Sequence, residues 1–236
     1  MQKAWSIIIV PLALILTALM ATVSVLVSFV PGGKPWQFAC SRAWARGLLA
    51  LGGIRVRVHG LERISSGRSY VFVANHQSYS DIWSLLAVLP LEFCFVAKES
   101  LFHWPFIGWH LRRSGMISID RRGMKETYRA LLAAAEKIRQ GTSVVIFAEG
   151  TRSIAGEIGP FKRGSLLVAI KAGVPIVPIA INGSRACLPK GSCLIRAGVI
   201  DMVIVDPISV ADNGRADERQ LTEMVRGAIV KHYVNQ

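Results

Sequence analysis

Residues 70–81 have the sequence YVFVANHQSYSD, in which a short apolar run ends in polar side chains just before a helix-like segment. An uninterrupted apolar run of this length, rich in β-branched and aromatic residues, predicts a strand buried on both faces of a parallel sheet. The segment that follows has an apolar face at helical spacing, made by Ile82, Leu85, Leu86 and Leu89. This strand and helix decide the fold class.

Similar units recur along the rest of the chain. Four further apolar runs are predicted as buried strands: Phe93 to Ala97, Met116 to Ile119, Ser143 to Phe147 and Ile176 to Ile181. Met124 to Gln140 is an amphipathic helix that stops at Gly141. Ile54 to Val58 and Met202 to Val205 are predicted as edge or terminal strands. We therefore predict that residues 54–236 form an α/β domain, with a mostly parallel central sheet flanked by helices.

The first 53 residues have a different character. Ala4 to Gly33 contains no ionisable side chain, and Ile7 to Val30 is long enough to cross a bilayer core, which needs about 20 apolar residues. A cleaved signal peptide is an alternative, although its apolar region is usually about 7 to 15 residues long. Trp36 to Gly52 combines Trp with Arg, which is typical of a helix at the lipid headgroups; a first core helix of the domain is the alternative. Residues 1–53 are predicted to be a membrane-anchoring, membrane-inserting helical segment.

Composition adds a strong basic excess. Hydrophobic residues make up 52% of the chain, and 28 Lys and Arg against 15 Asp and Glu give a net charge of +13. Residues 1–53 contribute +4 and the body +9, so the body suits an anionic partner such as a phosphate-bearing lipid or a membrane surface. Nucleic acid is not predicted as a partner, because the sequence has no RNP-type aromatic motif, zinc spacing or helix-turn-helix pattern.

The placement of charge and cysteine predicts a compartment. Lys3 stands alone before the apolar segment, whereas several cations follow it, so the positive-inside rule predicts an inner (cytoplasmic) membrane protein whose α/β domain faces the cytoplasm. Four cysteines without a C-x-x-C pair suit free thiols in a reducing compartment. No histidines lie at ligand spacing, so no metal site is predicted.

Polar residues follow each of the five predicted buried strands. In chain order they are Asn75-His76, Lys98-Glu99, Asp120-Arg121-Arg122, Glu149-Gly150-Thr151-Arg152 and Asn182-Gly183-Ser184-Arg185. Open α/β sheets bind ligands outside the carboxyl ends of their strands. We therefore expect a histidine and several cations to share one edge of the sheet.

His76 and Asp81 form a candidate general-base pair. Residues five apart are about 140° apart around an α-helix, so the two side chains meet only if His76 precedes the helix and Asp81 lies in its first turn. The carboxylate would then hold one imidazole nitrogen and leave the other as a base. Helix capping by Ser78 and Asp81 is the alternative. The sequence has no G-x-S-x-G motif and no cysteine at a strand end, which favours direct attack by a substrate hydroxyl.

Four sequence blocks carry a family resemblance. They are N-H-x-x-x-x-D at 75–81, K-E-S-L-F-H-W-P-F-I-G-W with G-M-I-S-I-D-R-R within 98–122, F-A-E-G-T-R-S at 147–153, and V-P-I-V-P-I-A-I at 174–181 after F-K-R-G at 161–164. In order and spacing they resemble the glycerolipid acyltransferase family, and within it the 1-acylglycerol-3-phosphate (lysophosphatidate) acyltransferases. The resemblance covers residues 35 to 210, and Ala148 departs from the usual proline of the third block.

The resemblance implies a reaction and a set of site residues. His76 would deprotonate the free hydroxyl of 1-acyl-sn-glycerol 3-phosphate and Asp81 would orient His76, while acyl-CoA or acyl-carrier-protein would donate the acyl chain as co-substrate with no other cofactor. The implied substrate-binding residues are Asn75, Lys98, Arg121, Glu149, Gly150, Thr151 and Arg152. Glu149 has a second possible role, an ion pair that braces Arg152. The resemblance favours a shallow N-terminal hairpin in one leaflet, whereas hydropathy favours a span.

Two groups of alternatives stay open. The same chemistry could use another acceptor, such as lyso-ornithine lipid, lysophosphatidylglycerol or glycerol 3-phosphate. From another class, a membrane-tethered, non-enzymatic module could bind acidic lipid through the basic body. Thiol release from acyl-CoA separates this module from an enzyme.

Overall fold

The computed structural model describes residues 2–120, 123–153, 156–162, 164–210 and 218–235. Its strands are β1 (Ile54–His59), β2 (Val71–Ala74), β3 (Phe93–Lys98), β4 (Ile117–Ile119), β5 (Ser143–Phe147), β6 (Ile176–Asn182) and β7 (Gly198–Ile204). Its helices are α1 (Gln2–Val27), α2 (Lys34–Leu51), α3 (Ser80–Val88), α4 (Ile107–Arg113), α5 (Met124–Arg139), α6 (Leu167–Ala172), α7 (Ser184–Cys187) and α8 (Glu218–Lys231).

The strands of the described residues form one sheet in the order β1-β7-β6-β2-β5-β3-β4. β2 lies in the middle and pairs in parallel with both β5 and β6. β5 continues in parallel to β3, and β3 to β4. The predicted α/β fold with a mostly parallel sheet is therefore confirmed. Because the five strands predicted as buried all run the same way, their carboxyl ends meet at one edge, which we call the site edge.

Two strands differ from their predicted places. β4 was expected to be buried on both faces, but it is a three-residue edge strand in which only Ile117 is fully buried and Ser118 is exposed. Met202 to Val205 was expected at an edge or terminus, but β7 lies between β1 and β6 and runs antiparallel to β6. The reason is that a strand pairs through its main chain, so alternating burial of side chains does not prevent pairing on both sides.

Helices cover both faces of the sheet and create two hydrophobic cores. On one face, Phe72 of β2 lies in the same cluster as Leu49 of α2 and Leu85 of α3. On the other face, Val73 lies with Ala135 of α5 and Val225 of α8. β2 is thus buried on both sides, which gives the residues at its carboxyl end a rigid support.

α1 lies along the body of the protein instead of projecting from it. Its segment Trp5–Val27 has a mean hydropathy of 2.5 and is long and apolar enough to cross a membrane. Near one end, the Ser6 hydroxyl accepts from the Ile195 amide at 3.2 Å. Near the other end, the Ser24 hydroxyl lies 2.8 Å from Nδ1 of His110 in α4. Contacts at both ends fix the helix against the α/β unit.

α2 is a core helix of the domain, which was one of the two interpretations of its sequence. One face is buried in the core shared with β1 and α3, through Ala45, Leu48 and Leu49. Trp36 at its start is 67% exposed. The guanidinium of Arg42 donates to the carbonyls of Leu86 and Leu89 at 3.3 and 2.6 Å, which caps the last turn of α3. The predicted boundary at residues 53 and 54 falls between α2 and β1, across which this core is continuous.

Candidate active site

The loop after β2 brings the predicted base and its partner together. His76 lies in the loop, α3 begins at Ser80, and Asp81 is in the first turn of α3. Nδ1 of His76 lies 2.9 Å from Oδ2 of Asp81. This arrangement satisfies the condition that the five-residue spacing imposed. An ionised carboxylate can only accept hydrogen bonds, so Nδ1 carries the hydrogen, and in the neutral form of the imidazole Nε2 presents its lone pair.

Asp81 also caps the helix, so the two interpretations of its spacing are both part of one structure. Oδ2 accepts from the amides of Gln77 at 2.7 Å and Ser78 at 2.9 Å, in addition to His76. The Asp81 side chain is completely buried, and its Oδ1 has no hydrogen-bond partner among the described residues. The cap therefore fixes the carboxylate that holds the imidazole.

Phe147 packs against one face of the His76 ring, a role that the sequence did not predict. The two rings are stacked, with centroids 3.8 Å apart and planes 15° apart. Phe95 continues the stack, with its centroid 6.0 Å from that of Phe147. Phe147 is both the last residue of β5 and the first residue of the third sequence block, and that position was the available signal. Between Phe147 and Asp81, the imidazole keeps 14% of its side chain exposed.

Glu149 holds the main chain of His76, a contact that the sequence did not predict. Its Oε1 accepts from the His76 amide at 2.9 Å, and its Oε2 accepts from the Gly159 amide at 3.0 Å. The Ser153 amide in turn donates to the His76 carbonyl at 2.9 Å. Burial raises the pKa of the Glu149 carboxyl, and the two amide hydrogen bonds oppose that rise. Glu149 therefore positions His76. Its contacts among the described residues include no ion pair with Arg152, and its contact with the acceptor stays a prediction.

Asn75 is likewise a positioning residue in this structure, and its contact with substrate stays a prediction. Its side chain is completely buried. Its Nδ2 donates to the Ile181 carbonyl at 2.9 Å, and its Oδ1 accepts from the Ile181 amide at 2.7 Å. Both ends of the amide thus join the end of β2 to β6, which fixes the residue immediately before His76.

Two of the predicted cations, Lys98 and Arg152, lie at the site edge with different degrees of constraint. Lys98 is exposed at the end of β3. The guanidinium of Arg152 lies over the Tyr79 ring, 3.8 Å from its centroid, and its carbonyl accepts from Lys190 at 2.7 Å. The sequence did not identify Tyr79 or Lys190, because neither belongs to a charged strand end. Arg121, the remaining predicted cation, lies outside the described residues.

Gly150 and Thr151 form the turn that leads to Arg152. Gly150 has φ of +71°, in the left-handed region that favours glycine. Its amide donates to the Phe147 carbonyl at 3.0 Å, so the turn uses this amide itself. Thr151 is exposed at the tip of the turn. The loop therefore offers a hydroxyl and the Arg152 side chain to a ligand.

These contacts hold the imidazole of His76 in place and leave one side of it accessible. The described residues supply no hydrogen-bond partner for its Nε2. Cys187 is the cysteine in electrostatic reach of Asp81, but burial raises the pKa of its thiol to about 11. At neutral pH that thiol is a poor nucleophile, which favours attack by a substrate hydroxyl over a covalent thioester on this residue.

Comparisons with known proteins identify the family of this chain. The family model described as Acyltransferase matches residues 55–182. The chloroplastic 1-acyl-sn-glycerol-3-phosphate acyltransferase BAT2 of Brassica napus is 38% identical over 153 residues, which are 64% of this chain and 44% of that protein. A 1-acyl-sn-glycerol-3-phosphate acyltransferase of Borreliella burgdorferi is 30% identical over 196 residues, which are 83% of this chain and 78% of that protein.

The fold has a close structural relative. The crystal structure of the 1-acyl-sn-glycerophosphate (LPA) acyltransferase, PlsC, from Thermotoga maritima superimposes with a TM-score of 0.86 at 27% identity. The match covers 98% of this chain and 96% of that one, so it includes the N-terminal helices. Together with the family model, which matches more than half of the chain, these similarities show that the chain belongs to the acyltransferase family.

Proposed function

We propose that this protein transfers an acyl chain from acyl-CoA or acyl-carrier-protein to the free hydroxyl of 1-acyl-sn-glycerol 3-phosphate, giving phosphatidate. The observation that carries the proposal is the hydrogen bond of 2.9 Å between His76 and Asp81 at the site edge, with Nε2 of His76 unoccupied by the described residues. The names of the relatives from B. napus and B. burgdorferi supply the substrate class.

In the proposed reaction, Nε2 of His76 takes the proton of the acceptor hydroxyl as its oxygen attacks the thioester carbonyl. Asp81 stabilises the imidazolium that forms, because its charge lies at hydrogen-bond distance. The carbon–sulfur bond then breaks, and the proton on His76 neutralises the leaving thiolate. No atom of the protein becomes covalently attached, and no cofactor is needed beyond the acyl donor.

The acceptor phosphate is expected to bind to cations of the site edge. Arg152 is the best supported of these, because stacking on Tyr79 limits its freedom before the ligand arrives. Lys98 and Thr151 are exposed near the same edge and can extend to a phosphate. Arg121 is retained in the proposal on the strength of its sequence block alone.

We also propose that the protein works at a membrane through α1. The outer side of α1 and the turn after it expose large apolar side chains, among them Ile7, Ile8, Leu12, Leu14, Ile15, Leu19, Leu26 and Phe29. A spanning helix would carry its body contacts into the hydrocarbon, including the Ser6 contact with the loop at Ile195. The contacts therefore favour a helix pair inserted in one leaflet. The charge asymmetry of the sequence favours the cytoplasmic face of the inner membrane.

A panel of acceptors tests the function. Purified protein in detergent is given one acyl-CoA with lysophosphatidate, lyso-ornithine lipid, lysophosphatidylglycerol or glycerol 3-phosphate, and both thiol release and acylated lipid are measured. We expect the largest kcat/KM with lysophosphatidate. A larger value with another acceptor would replace the proposed substrate. Lipid binding without thiol release, from acyl-CoA or from acyl-carrier-protein, would make the protein a binding module.

A further inference from the structure

The segment after α8 reaches back to the site edge. Asn182, the last residue of β6, donates from its side-chain amide to the His232 carbonyl at 3.1 Å and accepts from the Val234 amide at 2.8 Å. Asn182 is buried, and β6 is the parallel neighbour of β2. Residues 232–234, which we call the strap, are therefore fixed at the end of β6, next to the loop after β2 that carries His76.

Tyr233 of the strap contacts the residue next to the proposed base. Its hydroxyl accepts from Nε2 of Gln77 at 2.6 Å and donates to the Gly156 carbonyl. Gln77 Nε2 also donates to the Gly156 carbonyl at 3.1 Å. The Gln77 side chain is buried, and the main-chain amide of Gln77 donates to Oδ2 of Asp81 at 2.7 Å. Gln77 thus joins the strap, through its side chain, to the Asp81 carboxylate that holds His76, through its main chain.

A second set of contacts returns from Gly156 to His76. The Gly156 amide donates to the Ser153 hydroxyl at 3.2 Å, and the Ser153 amide donates to the His76 carbonyl at 2.9 Å. Tyr233 therefore bridges the two segments that hold the His76 main chain, one at Gln77 and one at Ser153. A hydroxyl in this place limits their relative movement.

We propose that Tyr233 is a positioning residue for the His76–Asp81 pair, acting through Gln77 and Gly156. The inference rests on the proposed acyl transfer. Tyr233 would help to place Nε2 of His76 within hydrogen-bond distance of the acceptor hydroxyl, because proton transfer requires that distance in the reacting complex. Tyr233 itself touches no reacting atom.

The test compares Tyr233→Phe with Tyr70→Phe. Both changes remove a hydroxyl that accepts a hydrogen bond, from Gln77 in one case and from the Ser65 amide at 3.1 Å in the other. Tyr70 precedes β2, at its end remote from His76. With lysophosphatidate, we expect Tyr233→Phe to lower kcat about tenfold with KM unchanged, less than the roughly hundredfold that a 1 Å misplacement can cause. Tyr70→Phe should lower the thermal midpoint and keep kcat.

A double-mutant cycle completes the test. If Tyr233 acts through Gln77, Tyr233→Phe should change kcat less than twofold in a Gln77→Ala background. Equal kcat for wild type and Tyr233→Phe, or a full tenfold effect without Gln77, would overturn the proposal. Wild-type protein that acylates no acceptor would instead overturn the proposed function, so the two failures are distinguishable.

Discussion

Asp81→Asn separates the charge of Asp81 from its hydrogen bonds. The asparagine oxygen can take the place of Oδ2 and accept from His76, Gln77 and Ser78 as the carboxylate does. The new amide group takes the place of Oδ1, which has no partner among the described residues. The substitution therefore keeps the shape of the cap and removes the negative charge that stabilises the imidazolium.

The magnitude follows from Coulomb's law. Two unit charges about 4 Å apart interact by about 4 kcal/mol at an effective dielectric constant near 20. If that stabilisation is lost from the transition state, the rate falls about 10³-fold. Folding should change little, since the hydrogen bonds to Oδ2 become weaker but the helix keeps its cap. The assay is kcat for phosphatidate formation, together with the thermal midpoint of the same sample.

Ser84→Ala is the matched control for helix stability. Ser84 lies in α3, and its hydroxyl donates to the Ser80 carbonyl at 2.8 Å without contacting His76. We expect this variant to be destabilised by about 1 kcal/mol and to keep its kcat. If Asp81→Asn retains more than a tenth of wild-type kcat, Asp81 serves only as a cap and the reasoning is refuted.

Two further predictions concern a cation and a buried histidine. Arg152→Ala should raise KM for lysophosphatidate far more than it slows hydrolysis of the acyl-CoA thioester, because in the proposed complex the guanidinium stacked on Tyr79 binds the phosphate of the acceptor. Equal losses in the two reactions would make Arg152 structural. Burial lowers the pKa of His110 to about 4, so the folded state binds fewer protons than the unfolded state between about pH 4 and 6.5. Stability should therefore fall by about 2 kcal/mol from pH 7 to pH 5. Chemical denaturation in detergent at the two pH values measures this loss of stability. A His110→Gln protein with the same pH dependence as wild type would contradict the prediction.

Much of the fold was predictable because burial leaves a signal in side-chain composition. The apolar runs identified the five parallel strands, and the polar residues after them identified the site edge. The spacing of His76 and Asp81 predicted that they could meet only if His76 precedes the helix and Asp81 lies in its first turn, and the structure has that geometry. These predictions depend on side chains, which the sequence specifies directly.

The remainder was not predictable because main-chain groups make the contacts. Glu149 binds the amides of His76 and Gly159, and Asn75 binds the amide and carbonyl of Ile181. Every residue other than proline offers such an amide, so no residue type marks the partner. The sequence can therefore suggest a substrate contact for a polar residue at a strand end, but it cannot show that the same side chain also holds the loop. β7 was misplaced for the same reason, since main-chain pairing chooses strand neighbours.

Contacts between residues far apart in the chain could not be predicted from the sequence either. Tyr233 and Gln77 are 156 residues apart in the chain and meet only because β6 and β2 are neighbours. Phe147 lies beneath His76 because β5 is the other neighbour of β2. Both contacts require the strand order, which periodicity in a single sequence does not contain.

Phosphatidate formation by His76→Ala is the measurement that tests the central claim most directly. Purified wild-type and variant proteins, matched for folding by circular dichroism and for binding to anionic vesicles, are given lysophosphatidate and radiolabelled acyl-CoA. The account predicts that wild type forms phosphatidate and that His76→Ala forms almost none, because no other described base contacts Asp81. Substantial turnover by the folded variant would contradict the assignment of His76 as the base for acyl transfer.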